Sequence, residues 1–136
     1  MRRVRVLVVD DHQMLREALV GMLEASGFEV VGAVPDGADA TALARELVPD
    51  VILMDLSMPV LNGLEATRLL REVVPATAVV VFSAFDSPDL KRQAFDAGAV
   101  AYLPKGCSNA RLRATLEAAV TVAGSNLRRA GTALGP

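Results

Sequence analysis

The sequence predicts an α/β protein of three layers, in which helices cover both faces of a doubly wound parallel sheet. Five short runs rich in β-branched residues alternate strictly with five helical patterns, and such alternation is typical of parallel sheets. Most of the runs are apolar nearly throughout, as expected of strands that are covered on both faces. The chain has 136 residues, of which 52% are hydrophobic. This length is enough for one packed domain and too little for two.

The predicted elements follow one another at short intervals along the chain. The five runs predicted as strands are Val4–Val9, Glu29–Val34, Val51–Met54, Ala78–Phe82 and a weaker one at Ala99–Leu103. The helical patterns repeat apolar residues at the spacing of one helix face. They cover Met14–Leu23, Leu43–Val48, Leu64–Val73, Pro88–Ala97 and Leu112–Ala123.

Residues at the ends of these patterns support the helix boundaries. Gly27 lies where the first helix should stop. Asn62, followed three residues later by Glu65, resembles a capping box. Ser87 precedes a proline at the first predicted helical position, and Ser108 can cap the last helix.

Composition and charge argue against several classes of function. Lys and Arg number 14 and Asp and Glu 16, so the net charge of −2 gives no electrostatic reason to bind nucleic acid. The longest uncharged run, residues 73–85, is too short to cross a membrane, and the first residues are too polar for a signal peptide. Cys107 is the only cysteine, which excludes an internal disulfide and a cysteine-built zinc site. We therefore expect the protein in the reducing cytosol.

The last residues differ in character from the rest. Residues 124–136 contain three glycines, one proline and no strong apolar pattern. We predict one domain over residues 1–123 and a tail or the start of a linker over residues 124–136.

Polar side chains follow four of the five predicted strands. They are Asp10 and Asp11 after the first strand, Asp55 after the third, Ser83 at the fourth, where Ala84 follows it, and Lys105 at the fifth, where Pro104 precedes it. Because ligands of open α/β sheets bind outside the carboxyl ends of the strands, we expect these groups to meet at one edge. Crowded carboxylates repel one another and require a cation, and oxygen ligands favour Mg²⁺. A lysine and a serine beside them suit phosphoryl transfer to a carboxylate, with Asp55 as the nucleophile.

These motifs resemble the receiver domain of two-component response regulators. The matching segments, in chain order, are Val8–His12, Met54–Pro59 with Asn62 and Gly63 behind it, Phe82–Ala84 and Tyr102–Lys105. Each motif is weak alone, but five in order, four of them at a strand end, make a strong match. The resemblance covers about residues 4–123, and its details are most similar to the NarL/FixJ-type, or LuxR-type, branch.

The resemblance implies a CheY-like, flavodoxin-like fold with strand order 2-1-3-4-5. It implies that Asp55 accepts a phosphoryl group from a phosphohistidine of a sensor histidine kinase, with Mg²⁺ or Mn²⁺ as cofactor. Asp11, Asp55 and the backbone carbonyl of Ser57 would bind the metal directly, and Asp10 mainly through a water molecule.

The resemblance also implies a phosphoryl-binding switch. Lys105 would pair with the phosphoryl oxygens, Ser83, beside Ala84, would move to bond one of them, and Tyr102 would rotate inward. The family has a strained or cis bond before this lysine, and Pro104 lowers the cost of a cis bond to about 1 kcal/mol. We therefore predict a cis peptide bond between residues 103 and 104.

The output implied by the resemblance is control of transcription through a helix-turn-helix domain that this chain does not contain. The protein would not be an enzyme beyond self-catalysed phosphoryl transfer and hydrolysis. Phosphorylation would change the face formed by the fourth helix, fifth strand and fifth helix, and this face or that of the first and fifth helices would support a homodimer. Ser57 and Phe85, each two residues beyond a site residue, could tune the phosphoryl lifetime. DNA would bind only through the missing domain, and no membrane partner is expected.

Other interpretations of the same residues remain open. A degenerate or stand-alone receiver would act as a protein-interaction module without phosphorylation. An aspartyl-phosphate phosphatase would need an acid at Ser57, and a nucleotide or flavin protein would need a glycine-rich turn after the first strand. Asp10 and Asp11 could cap the first helix. His12 is expected at the start of that helix without a catalytic role, and Cys107 is expected to be incidental.

Overall fold

The sheet follows the predicted topology. The computed structural model describes residues 2–56 and 62–134, with side chains as far as residue 121. Within this part of the chain, β1 (Arg5–Val9), β2 (Glu29–Val34), β3 (Val51–Met54), β4 (Ala78–Ser83) and β5 (Ala101–Pro104) form one sheet in the order β2-β1-β3-β4-β5. Every neighbouring pair is parallel. The predicted fold class and strand order are therefore confirmed.

Five helices connect and flank the strands in the described residues. They are α1 (Gln13–Ala25), α2 (Gly37–Leu47), α3 (Gly63–Val73), α4 (Pro88–Ala97) and α5 (Asn109–Leu134). None of the helices in this part of the chain combines the length and apolar character that crossing a bilayer requires.

Apolar residues at alternating positions of a strand pack on opposite faces of the sheet. In β1, Val6 and Val8 join the cluster packed under α1 and α5, whereas Leu7 and Val9 join the cluster under α2 and α3. A third cluster under α4 includes Tyr102. Since consecutive strand residues point to opposite faces, near-continuous apolar strands are what a sheet covered on both sides requires.

The predicted helix starts are confirmed by their hydrogen bonds. The side chain of Asn62 accepts a hydrogen bond from the backbone nitrogen of Glu65 at 3.0 Å. Ser87 caps α4 at 3.2 Å, and Ser108 accepts from the third residue of α5 at 3.1 Å. Each cap satisfies a backbone donor that the first helical turn leaves without an intrahelical acceptor.

Several predicted boundaries are wrong. α2 covers Gly37–Leu47, whereas the apolar pattern predicted a helix over Leu43–Val48. β5 covers residues 101–104 rather than 99–103, so that Pro104 lies in the strand opposite Ser83. α5 does not end at Ala123 but runs to Leu134, so most of the predicted tail is helical. Single glycines in this stretch cost a helix only about 1 kcal/mol each and do not end it, and its one proline is the final residue. The division into domain and linker stays a prediction.

The predicted cis bond before Pro104 is also wrong. The peptide bond between Leu103 and Pro104 is trans, as are the other bonds of the described residues. For bonds that precede proline, trans is still favoured by about 0.5–1 kcal/mol. The trans chain also lets the backbone nitrogen of Lys105 donate to the carbonyl of Ser83 at 2.8 Å.

Candidate functional site

The carboxyl ends of the two central strands bring the acidic residues together. β1 and β3 are paired with Val9 opposite Met54, so the next residue on each strand is an aspartate, Asp10 or Asp55. The backbone nitrogen of Asp55 donates to the carbonyl of Val9 at 2.9 Å, which extends the ladder to the end of the strands. The two carboxylates therefore share one edge, as the sequence predicted.

Three carboxylates form a cluster at this edge. One oxygen each from Asp10, Asp11 and Asp55 lies within 4.8 Å of the others. Asp10 is 1% exposed and Asp55 4%, whereas Asp11 is exposed. Two buried carboxylates and one exposed one, all offering oxygen, fit a hard divalent cation that keeps part of its water shell. The residues are thus chemically suited to Mg²⁺ or Mn²⁺.

Lys105 connects two members of the cluster. Its Nζ lies 2.9 Å from Oδ2 of Asp10 and 3.5 Å from Oδ1 of Asp55. Burial by itself would lower the pKa of Lys105, but the hydrogen bond to Asp10 and the negative charge of Asp55 outweigh it and raise that pKa above its usual value. The ammonium group therefore stays charged at neutral pH and partly neutralises the carboxylates.

The turn after β1 is fixed from several sides. The backbone nitrogen of His12 donates to Oδ1 of Asp10 at 2.8 Å. His12 is the N-cap of α1, since its Nδ1 accepts from the backbone nitrogen of Leu15 at 3.2 Å. The position predicted for His12 at the start of the helix is confirmed. Arg16, which the sequence analysis did not single out, donates from Nη1 to the backbone carbonyl of Asp10 at 2.8 Å.

Ser83 is the last residue of β4 and is 1% exposed. Its Oγ accepts a hydrogen bond from the backbone nitrogen of Phe85 at 3.1 Å, and its carbonyl accepts from Lys105. Ala84 follows at the exposed start of the loop. Ser83 thus lies at the same edge of the sheet as Asp55, one strand away.

Tyr102 packs inward. It is 9% exposed, and its hydroxyl donates to the carbonyl of Phe85 at 2.7 Å. The Nζ of Lys91 lies 5.8 Å from the centre of the Tyr102 ring and 2.8 Å from a carboxylate oxygen of Asp86. The family resemblance implies a switch aromatic at Tyr102, but the sequence does not predict the partner of its hydroxyl, because that partner is a backbone group.

Gly63 brings α3 against the end of β3. A Cβ at this position would lie 2.3 Å from the carbonyl oxygen of Asp55 and 2.7 Å from the Cα of Leu56. The backbone nitrogen of Gly63 donates to the carbonyl of Leu56 at 3.1 Å. Only a residue without a side chain allows this approach. Ser57, Met58 and Pro59, which the sequence analysis singled out in this loop, lie outside the described residues.

The fold and this edge define a class of protein: a doubly wound α/β domain with a cluster of carboxylates and a lysine at the carboxyl ends of its strands. Residues 6–117 match the family model of the response regulator receiver domain. The chain belongs to this family, the receiver domains of two-component systems.

Relatives and solved structures agree with this assignment. The chain is 39% identical over 117 residues to the transcriptional regulatory protein LiaR of Bacillus subtilis, covering 85% of this chain and 56% of that protein. It is 44% identical over 104 residues to the response regulator GacA of Pseudomonas aeruginosa, covering 76% and 49%. The chain thus spans about half the length of the curated relatives it matches.

Among solved structures, the receiver domain of the putative regulator NarL from Mycobacterium tuberculosis superposes with a TM-score of 0.80 at 36% identity, covering 88% of this chain and 98% of that one. A LuxR-family response regulator from Aurantimonas gives a TM-score of 0.83 at 34% identity, covering 88% and 86%. The predicted NarL/FixJ-type branch is confirmed by these similarities.

Proposed function

We propose that this domain accepts a phosphoryl group on Asp55 from a phosphohistidine of a sensor histidine kinase. The observation that carries the proposal is the cluster itself: three carboxylates within 4.8 Å and an ammonium group between the two that are buried. A stable fold gains nothing from crowding like charges, whereas a cation and a phosphoryl group would use all of them.

The chemistry is a direct displacement at phosphorus. A carboxylate oxygen of Asp55 attacks, the bond between phosphorus and the donor's imidazole nitrogen breaks, and the electron pair leaves with the imidazole, which takes up a proton. Mg²⁺, when bound, supplies positive charge to the transferring group. Asp11, Asp55 and the backbone carbonyl of Ser57 would hold the ion directly, and Asp10 would do so mainly through a water molecule. Hydrolysis of the acyl phosphate returns the aspartate, and we propose no other catalytic activity.

The ammonium group of Lys105 lies where it can shift toward a phosphoryl group on Asp55. In the structure its Nζ is nearer to Asp10 than to Asp55. New negative charge on Asp55 would draw the ammonium group toward that residue. Ser83 would move its hydroxyl toward the phosphoryl group and donate to one of its oxygens, which carries Oγ away from the backbone nitrogen of Phe85. That change frees the backbone nitrogen of Phe85, whose carbonyl already binds Tyr102.

Phosphorylation would then act through the β4–α4 loop on the face of α4, β5 and α5. We propose that this face or that of α1 and α5 forms a homodimer, and that the output is transcription through a helix-turn-helix domain outside this chain. The relatives named as transcriptional regulators support this output. A cytosolic location belongs to the same proposal.

The test is phosphorylation by a small phosphodonor with Mg²⁺, followed by intact-mass measurement. We expect the mass of one phosphoryl group to be gained, to be lost on standing, and to be absent in Asp55→Asn or with excess chelator. Asp96→Asn is the matched control, because it removes an exposed carboxylate on α4.

The competing hypothesis is a degenerate receiver that binds its partner without phosphorylation. It predicts no gain of mass in the native protein with any donor. A gain that persists in Asp55→Asn would show that another residue is the acceptor and would contradict the proposal.

A further inference from the structure

Arg16 contacts the turn that carries the acidic residues, although it lies on the helix that follows. The side chain is half-buried, and its Nη1 donates to the carbonyl oxygen of Asp10 at 2.8 Å. A cation near a helix N-terminus is electrostatically unfavourable because the helix dipole is positive there. The contact with Asp10 gives this side chain a favourable interaction in an electrostatically unfavourable location.

The other polar atoms of Asp10 are also held. Its backbone nitrogen donates to the carbonyl of Val34 at 3.1 Å, Oδ1 accepts from His12, and Oδ2 lies beside Lys105. The carbonyl is the group that leads into Asp11, since the carbonyl of one residue and the nitrogen of the next lie in one peptide plane. A donor bound to this carbonyl fixes the orientation of that plane and hence the point from which the Asp11 side chain departs.

We propose that Arg16 is a positioning residue for the divalent cation, and that it acts by holding the peptide between Asp10 and Asp11. This inference rests on the proposed function, because it deepens the description of the same cation site. Arg16 would not touch the ion. It orients the residues that would.

The charge of Arg16 and its positioning role have opposite effects on metal binding. A fixed positive charge near the site repels a cation, so its removal by itself would tighten binding. Loss of a group that orients ligands weakens binding, and such outer contacts typically account for a factor of about 10–100 in metal affinity. The sign of the change therefore separates the two effects.

The experiment is calorimetric titration of the full chain with Mg²⁺ alone, without a phosphodonor. We expect Arg16→Ala to weaken Mg²⁺ binding by roughly tenfold. Arg16→Lys keeps the charge and one donor nitrogen but lacks the planar fork, so it should recover part of the affinity. Unchanged or tighter binding in Arg16→Ala would overturn the proposal, as would a wild-type chain that does not bind Mg²⁺.

Arg113→Ala is the matched control. Arg113, on α5, is also a half-buried arginine, but its Nη1 lies 3.5 Å from the hydroxyl oxygen of Ser26. We expect it to leave Mg²⁺ affinity within twofold of the wild type. Thermal unfolding of each variant in chelator identifies any loss of stability, and Arg16→Lys decides the outcome if Arg16→Ala does not fold.

The affinity series also separates this inference from the proposed function. A wild-type protein that binds Mg²⁺ but gains no phosphoryl group would refute the acceptor role of Asp55. The comparison of Arg16 variants would still decide the positioning role, because it requires only metal binding.

Discussion

Replacing Lys105 by methionine tests whether the ammonium group compensates the buried carboxylates. Methionine keeps most of the apolar stem and removes the charge. At an effective dielectric constant of about 20, a pair of unit charges at the 2.9 Å separation from Asp10 gains about 6 kcal/mol, and one at the 3.5 Å separation from Asp55 about 5 kcal/mol. Removal of water from the ions offsets much of this gain, at several kcal/mol per ion.

The net loss in the free energy of unfolding depends on how deeply each charged partner is buried. Breaking a fully buried pair by removing one partner typically costs about 3–5 kcal/mol. The side chain of Lys105 is 21% exposed, whereas that of Asp10 is 2% exposed. We therefore expect Lys105→Met to lower the free energy of unfolding in chelator by about 2–3 kcal/mol.

The assay is urea unfolding with chelator and with saturating Mg²⁺. A ligand at 100 times its Kd adds about 2.7 kcal/mol to the free energy of unfolding, and a lower Kd adds more at the same ligand concentration. Without the ammonium group beside the carboxylates, Lys105→Met should bind Mg²⁺ with a lower Kd than the wild type. Mg²⁺ should therefore stabilise Lys105→Met more than the wild type. Lys91→Met is the control and should change stability little, because its partner Asp86 is exposed. A Lys105→Met protein as stable as the wild type in chelator would refute the reasoning.

Three further predictions concern pH and the backbone. Because folding raises the pKa of Lys105, its charge stabilises the fold at pH values below the usual pKa of 10.5. This contribution should be lost as the pH rises through the higher pKa of the folded state. Urea unfolding of the wild type and Lys105→Met in alkaline buffers would detect the loss. Gly63→Ala should cost about 1–3 kcal/mol and reduce phosphorylation, because its Cβ meets backbone of Asp55. Gly21→Ala, where a Cβ meets nothing within 4 Å, should be neutral or stabilising in the same unfolding assay. Val48 has a φ of 44°, a left-handed conformation that strains a β-branched residue, and the residue is 49% exposed, so little packing would be lost. Val48→Gly should therefore raise the melting temperature, and an unchanged or lower value would contradict the strain.

Local patterns predicted most of the fold. The apolar runs, the helix spacing and the caps at Asn62, Ser87 and Ser108 depend on residues near one another in the chain. Each corresponds to an element or a cap of the structure, although the limits of α2, β5 and α5 differ from those predicted. The acidic edge was predictable as well, because a parallel sheet brings the ends of its strands to one side.

Other features depend on contacts between distant segments. The weak pattern of β5 did not fix its limits, which are set by pairing with β4. Arg16 and the Tyr102 hydroxyl bind backbone carbonyls, and a carbonyl leaves no trace in the sequence. An arginine in the first turns of a helix was the one available signal for Arg16.

The central location of β1 affects how the chain is made. β1 is bonded to β2 on one side and β3 on the other, and four of its five residues are buried. A ribosome produces this apolar segment before it produces either neighbouring strand. Until residue 54 has emerged, one edge of β1 has no partner strand and is open to pairing with other chains. Nascent chains halted before that point should therefore be the ones most dependent on chaperones.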